Sequence, residues 1–122
     1  MKRIGIDARM YGPTFTGIGI YIECLLKELS KLNPHNITFI VFTGEIHRRE
    51  IESLGENFEF IPVQAPQYSL AEQITFPLIL RKAKLDLMHF MHFNAPLLYR
   101  GKSVVTIHDL ILSLYPGKTI GF

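Results

Sequence analysis

The sequence has a single cysteine, Cys24, so no intrachain disulfide can form, and a reducing, cytosolic setting fits it. It has no tryptophan. No run of apolar residues reaches the roughly 18–20 needed to cross a bilayer. The apolar stretch after the basic Met1-Lys2-Arg3 stops at Asp7, too soon for a secretory leader. Charge is sparse at 20% of residues, which fits a covered face and equally a chance outcome in a small α/β domain. Basic residues outnumber acidic ones by only two and lie in short groups, His47-Arg48-Arg49 and Arg81-Lys82-Ala83-Lys84. Neither forms the broad basic stripe of a nucleic-acid binder, so no nucleic-acid partner is expected. Internal repeats and low-complexity tracts are absent.

With 48% hydrophobic residues, the 122-residue chain can bury a core, and its length suits one domain spanning 1–122. Arg3 to Ile6 reads as a first strand, followed by a long loop from Asp7 to Thr16 containing Gly12 and Pro13. Ile18, Tyr21, Ile22, Leu25, Leu26, Leu29 and Leu32 recur at helical spacing, and Asn33-Pro34-His35-Asn36 ends that helix. Glu23 and Lys27 are a favourable i,i+4 pair on its other face, and Cys24 is expected to be buried.

Ile37 to Phe42 is β-branched, aromatic and uncharged, as in a strand covered on both faces. A short polar helix over Glu45 to Leu54, a strand over Phe58 to Val63, and a helix from Ser69 to about Lys84 follow. Ser69 and Glu72 form a capping box for that helix, and Pro77 should kink or split it. Its apolar residues and basic end would also suit contact with a membrane surface, although packing on a sheet is the plainer reading. Leu87 to Phe93 and Ser103 to Ile107 complete the strands. This alternation predicts an α/β fold with a doubly wound, mostly parallel sheet, whose ligands bind beyond the carboxyl ends of the strands.

Three segments fall at such ends. Thr16-Gly17-Ile18-Gly19-Ile20-Tyr21 opens a helix, where bare backbone and unpaired amides favour an anion such as a diphosphate. Two glycines there serve equally well in a tight strand-to-helix turn. The spacing is neither a dinucleotide fingerprint, since Ile22 stands where the third glycine would be, nor a P-loop. His108-Asp109 follows the apolar Val104-Val105-Thr106-Ile107; a histidine so placed can exchange a proton near neutral pH or lie idle on a surface loop. In Asp86-Leu87-Met88-His89-Phe90-Met91-His92-Phe93-Asn94, the two histidines are three apart, so a strand directs them to opposite faces and they form no metal pair. His89 reads as a packed core residue, whereas His92 and Asn94 can reach a ligand.

These segments together resemble the amino-terminal domain of GT-B-fold, family 4 retaining glycosyltransferases, the mannosyl- and glucosyltransferase-like hexosyltransferases. The resemblance rests on Ile4-Gly5-Ile6-Asp7-Ala8-Arg9, Thr16-Gly17-Ile18-Gly19-Ile20-Tyr21, Asp86-Leu87-Met88-His89 with His92-Phe93-Asn94-Ala95-Pro96, and Val104-Val105-Thr106-Ile107-His108-Asp109-Leu110, in that order along nearly the whole chain. It implies a Rossmann-like domain on the acceptor side of a cleft, and retaining, metal-independent transfer from a UDP- or GDP-sugar co-substrate with no other cofactor. Gly17 and Gly19 would lie near the donor phosphates, His108 beside the transferring sugar with Asp109 in support, and Asp7, Arg9, Tyr11, His92 and Asn94 along the acceptor side. The acceptor would be a glycan or a lipid-linked group. A complementary donor domain, on another chain or in a homo-oligomer, would be needed. A cytoplasmic place, peripheral to the inner face of a membrane, would suit. A non-catalytic nucleotide-sugar or acceptor binding module, and a fragment without independent activity, are the alternatives.

Overall fold

A computed structural model describes residues 1–12, 16–64, 70–91 and 98–106, apart from the side chains of residues 16 and 70–72. Five strands, β1 (Lys2–Asp7), β2 (Ile37–Thr43), β3 (Phe58–Pro62), β4 (Leu87–Phe90) and β5 (Ser103–Val105), form one sheet in the order β3-β2-β1-β4-β5. Every pairing is parallel, so the expected α/β, Rossmann-like sheet is observed. The helices are α1 (Thr16–Leu32), a 3-10 turn at Glu45–His47 running into α2 (Arg48–Glu52), and α3 (Leu70–Lys82). The chain moves outward from β1 to β3, then returns to the other side of β1 for β4. Crossovers of one hand therefore put α1 and α2 on one face and α3 on the other.

The two faces carry separate cores. Ile6, Phe39, Val41 and Phe58 pack with Ile22 and Leu26 of α1 and Ile51 of α2. Ile40, Phe42, Met88 and Phe90 pack with Phe76 and Leu80 of α3 and with Ala83. β2 thus supplies alternate residues to both cores, which is why its sequence has no polar face. Each fully buried aliphatic or aromatic side chain contributes about 1.5–3 kcal/mol.

α1 ends as expected: Asn33 takes a φ of 42°, and its N–H donates to the Leu29 carbonyl at 3.2 Å. Glu23 and Lys27 pair at 2.9 Å. Cys24, expected inside, is exposed. It shares the outer face of α1 with Ile20, Lys27, Glu28 and Lys31, away from the Ile22 and Leu26 stripe. Pro77 does not split α3, which runs unbroken from Leu70 to Lys82 with Pro77 itself buried. Burial of Phe76 and Leu80 on either side holds the two halves in one helix, offsetting the amide that proline lacks. β4 ends at Phe90 and β5 at Val105, both earlier than expected. Ser69 lies outside the described residues, as does the side chain of Glu72. Among the described residues no helix is long and apolar enough to cross a membrane.

β1 is tightly packed at Gly5, where an added Cβ would lie 2.6 Å from both Leu85 Cδ1 and Met88 Sδ. Both are ends of flexible side chains. Gly5→Ala is therefore expected to lower stability by about 1 kcal/mol and Gly5→Val by about 2–3 kcal/mol, measured by urea unfolding.

Candidate functional site at the carboxyl edge of the sheet

The sheet order reverses direction between β1 and β4, and in open α/β sheets the crevice beyond such a switch is the ligand position. Asp7 ends β1 there. Its Oδ1 accepts from the Arg9 backbone N–H at 3.1 Å and from Arg9 Nε at 2.9 Å, and its Oδ2 accepts from Arg9 Nη2 at 3.0 Å. Both side chains are buried, with 7% and 4% of their surface exposed. The guanidinium also lies 4.1 Å from the centroid of the Phe76 ring on α3. Asp7 and Arg9 thus form a buried ion pair at the end of β1, with the guanidinium also over Phe76 of α3.

The chain then turns toward the opposite face. Tyr11 donates its hydroxyl to the Glu50 carboxylate, and its ring meets that of His47 edge-on at 4.8 Å. Burial, and then the hydrogen bond to Glu50, push the Tyr11 hydroxyl far above its ordinary pKa, so it stays protonated. Tyr11 borders a small hollow of about 210 Å³ with Glu23, Lys27, Glu50 and Ser53.

Gly12 follows with a φ of 116°, a backbone shape that favours glycine. Its carbonyl presses on α1 at Gly19, where an added Cβ would lie 2.3 Å from that oxygen and 3.2 Å from the Met10 carbonyl. Gly17 is different. It is exposed, and no described atom lies within 4 Å of where its side chain would begin. Of the two glycines expected to face a ligand, Gly19 faces the chain's own loop and Gly17 faces open space in the first turn of α1, where backbone amides have no helical partner.

Across the switch point, His89 sits beside Ile6 in the β1–β4 register. Expected in the core, it is half-buried, and its Nε2 lies 2.6 Å from Thr106 Oγ1, just beyond β5. Burial pushes the imidazole below its ordinary 6.5, while the charge of Asp7 pulls weakly the other way. His89 and Thr106 are the described polar pair nearest in sequence to His108, and no sequence signal marked them as partners. Two strands brought side by side by parallel pairing create the contact. His92, Asn94, His108 and Asp109 lie outside the described residues. Among the described residues no group of three or more His, Cys, Asp or Glu side chains could hold a metal ion.

The chain matches no protein-family model, no curated protein and no solved structure.

The two glycines should respond oppositely to a methyl group. Gly19→Ala meets backbone that cannot yield and is expected to cost at least about 2 kcal/mol. Gly17→Ala should be neutral or stabilising by up to about 1 kcal/mol. Equal effects in chemical denaturation would contradict the loop-to-helix contact. His89 gives a pH dependence. The unfolded chain takes up its proton first as pH falls below about 6.5. Stability should therefore hold above that value and decline as pH drops toward the lowered folded pKa. His89→Gln should remove that component of the decline, read as the difference between the two proteins' urea midpoints at pH 7.5 and 5.5.

Proposed function

We propose that this chain is the acceptor-side domain of a retaining, metal-independent glycosyltransferase, acting with a complementary donor domain on a UDP- or GDP-sugar. The observation that supports the reading is that the described parts of the four family-resembling segments fall on β1, the start of α1, β4 and β5, around the switch point between β1 and β4. The segment from Ile4 to Arg9 is β1 with its carboxyl end, and Thr16 to Tyr21 opens α1. The segment from Asp86 to His89 begins β4, and that from Val104 runs through Thr106 toward His108. Parallel pairing of β1 with β4 and of β4 with β5 sets their carboxyl ends side by side.

On this reading the donor diphosphate lies over the first turn of α1 at Gly17. The amides and the helix dipole stabilise the negative charge that grows on the leaving diphosphate without a metal. Gly19 acts indirectly, letting the loop after β1 pack tightly enough to hold that turn in place. The Asp7–Arg9 pair and Tyr11 fix the acceptor-side floor. His108 stands beside the transferring sugar. The acceptor hydroxyl oxygen bonds to the anomeric carbon as the bond to the diphosphate breaks, its proton passes to the departing diphosphate oxygen, and the anomeric configuration is kept.

Calorimetric titration with UDP-glucose and GDP-mannose, alongside a transfer assay, tests this. The isolated chain should bind a nucleotide sugar weakly with little or no turnover. Gly17→Val should weaken binding at least fivefold without lowering stability. Absence of binding to any nucleotide sugar, or binding unaffected at Gly17, would overturn the assignment. Binding without turnover even when a donor domain is supplied would favour the non-catalytic module.

A further inference from the structure

The two edges of the sheet are not alike. β3 lies at one of them. Phe39 donates its backbone N–H to the Asn57 carbonyl at 2.8 Å, and Val63 donates to that of Thr43 at 2.9 Å. The odd-numbered residues of this strand therefore face β2, and Phe58, Phe60 and Pro62 face outward. Pro62 has no N–H to offer, which blunts that edge against a further strand.

β5 lies at the other edge and carries no such device. The Lys102 carbonyl accepts the Met88 N–H, and Thr106 donates to the Phe90 carbonyl, both at 2.9 Å. The even-numbered residues therefore face β4, while Ser103 and Val105 turn their N–H and C=O outward. Among the described residues no backbone group meets them there. All of β5 is exposed, with Val104 at 47% and Val105 at 41%. These two side chains point to opposite faces of the sheet, so β5 is open to solvent on both.

We propose that two copies of the chain pair through β5 to make one continuous sheet. Antiparallel pairing about a two-fold axis at Val104 is self-complementary. It sets Ser103 of each protomer opposite Val105 of its partner, and each such pair exchanges both backbone hydrogen bonds. Val104 meets its own copy as a close, non-hydrogen-bonded pair, so two exposed apolar side chains cover each other. Lys102 falls opposite Thr106, so this cation does not face its own copy. A head-to-tail contact of β5 with β3 would instead meet Pro62, and association therefore closes at two copies. The antiparallel arrangement also carries Lys102 of one protomer to the carboxyl edge of the other, on the face where Thr106 meets His89. That edge thereby gains a cation which its own chain holds at the amino-terminal end of β5. The pairing rests on backbone register, so it stands apart from the proposed transfer reaction.

The contact is small, and the dimer should form only as concentration rises. Sedimentation velocity from micromolar to millimolar protein tests it. Val105→Pro removes an N–H that faces outward, so the fold should hold while the dimer is lost. Val104→Lys leaves the backbone unchanged and sets like charges on the axis; it should weaken dimerisation roughly tenfold or more, with an unchanged urea midpoint. In a Cys24→Ser background, Val104→Cys should form an intermolecular disulfide under mild oxidation and Val105→Cys should not, because only position 104 faces its own copy. A chain that stays monomeric throughout, a dimer indifferent to Val104→Lys, or equal cross-linking at the two positions would each overturn the proposal.

Discussion

The buried pair of Asp7 and Arg9 governs how the chain leaves the central strand. Removing two charges from water is costly, and the cost is offset only when their hydrogen bonds are satisfied in good geometry. Here one carboxylate receives three donors from a residue two positions away, and the guanidinium lies over the ring of Phe76 of α3. The pair therefore joins the end of β1 to the helix on one face. The residues that follow swing to the other face, where Tyr11 joins Glu50 and His47. Gly12 then seats its carbonyl on Gly19. A short stretch after β1 thus anchors α1, α2 and α3 around the crevice, and the position of the first turn of α1 is its product.

Much of this arrangement follows from local pattern. The uncharged run Ile37–Phe42 announced a strand covered on both sides, because only a central parallel strand can bury every residue in turn. The repeat of Ile18, Ile22, Leu25, Leu26 and Leu29 set the buried face of α1. The same repeat puts Cys24 outside, a consequence of helical geometry that the general tendency of cysteine toward burial obscured. Pro77 shows the reverse: a local rule predicted a break, and tertiary packing of Phe76 and Leu80 overrode it.

The candidate site was less legible, because its geometry arises between distant segments. Gly17 and Gly19 look alike in sequence. Only the return of the Gly12 carbonyl distinguishes a glycine that makes room for its own loop from one open to solvent. His89 looked like a core residue from its apolar neighbours. Its link to Thr106, 17 positions later, exists because β4 and β5 lie parallel. Asp7 and Arg9 were reached only through the resemblance; their ion pair and the contact of Arg9 with Phe76 of α3 come from the folded chain.

The strand order has a consequence for biosynthesis. β1 is made first yet occupies the middle of the sheet, bonded on one edge to β2 and on the other to β4. As the chain emerges, the first edge finds its partner once residues 37–43 are clear of the ribosome. The second waits for residues 87–90. At roughly 5–20 residues per second, that leaves half of the central strand unpaired for several seconds. During that interval Gly5 and its neighbours present an open strand edge to other extended segments.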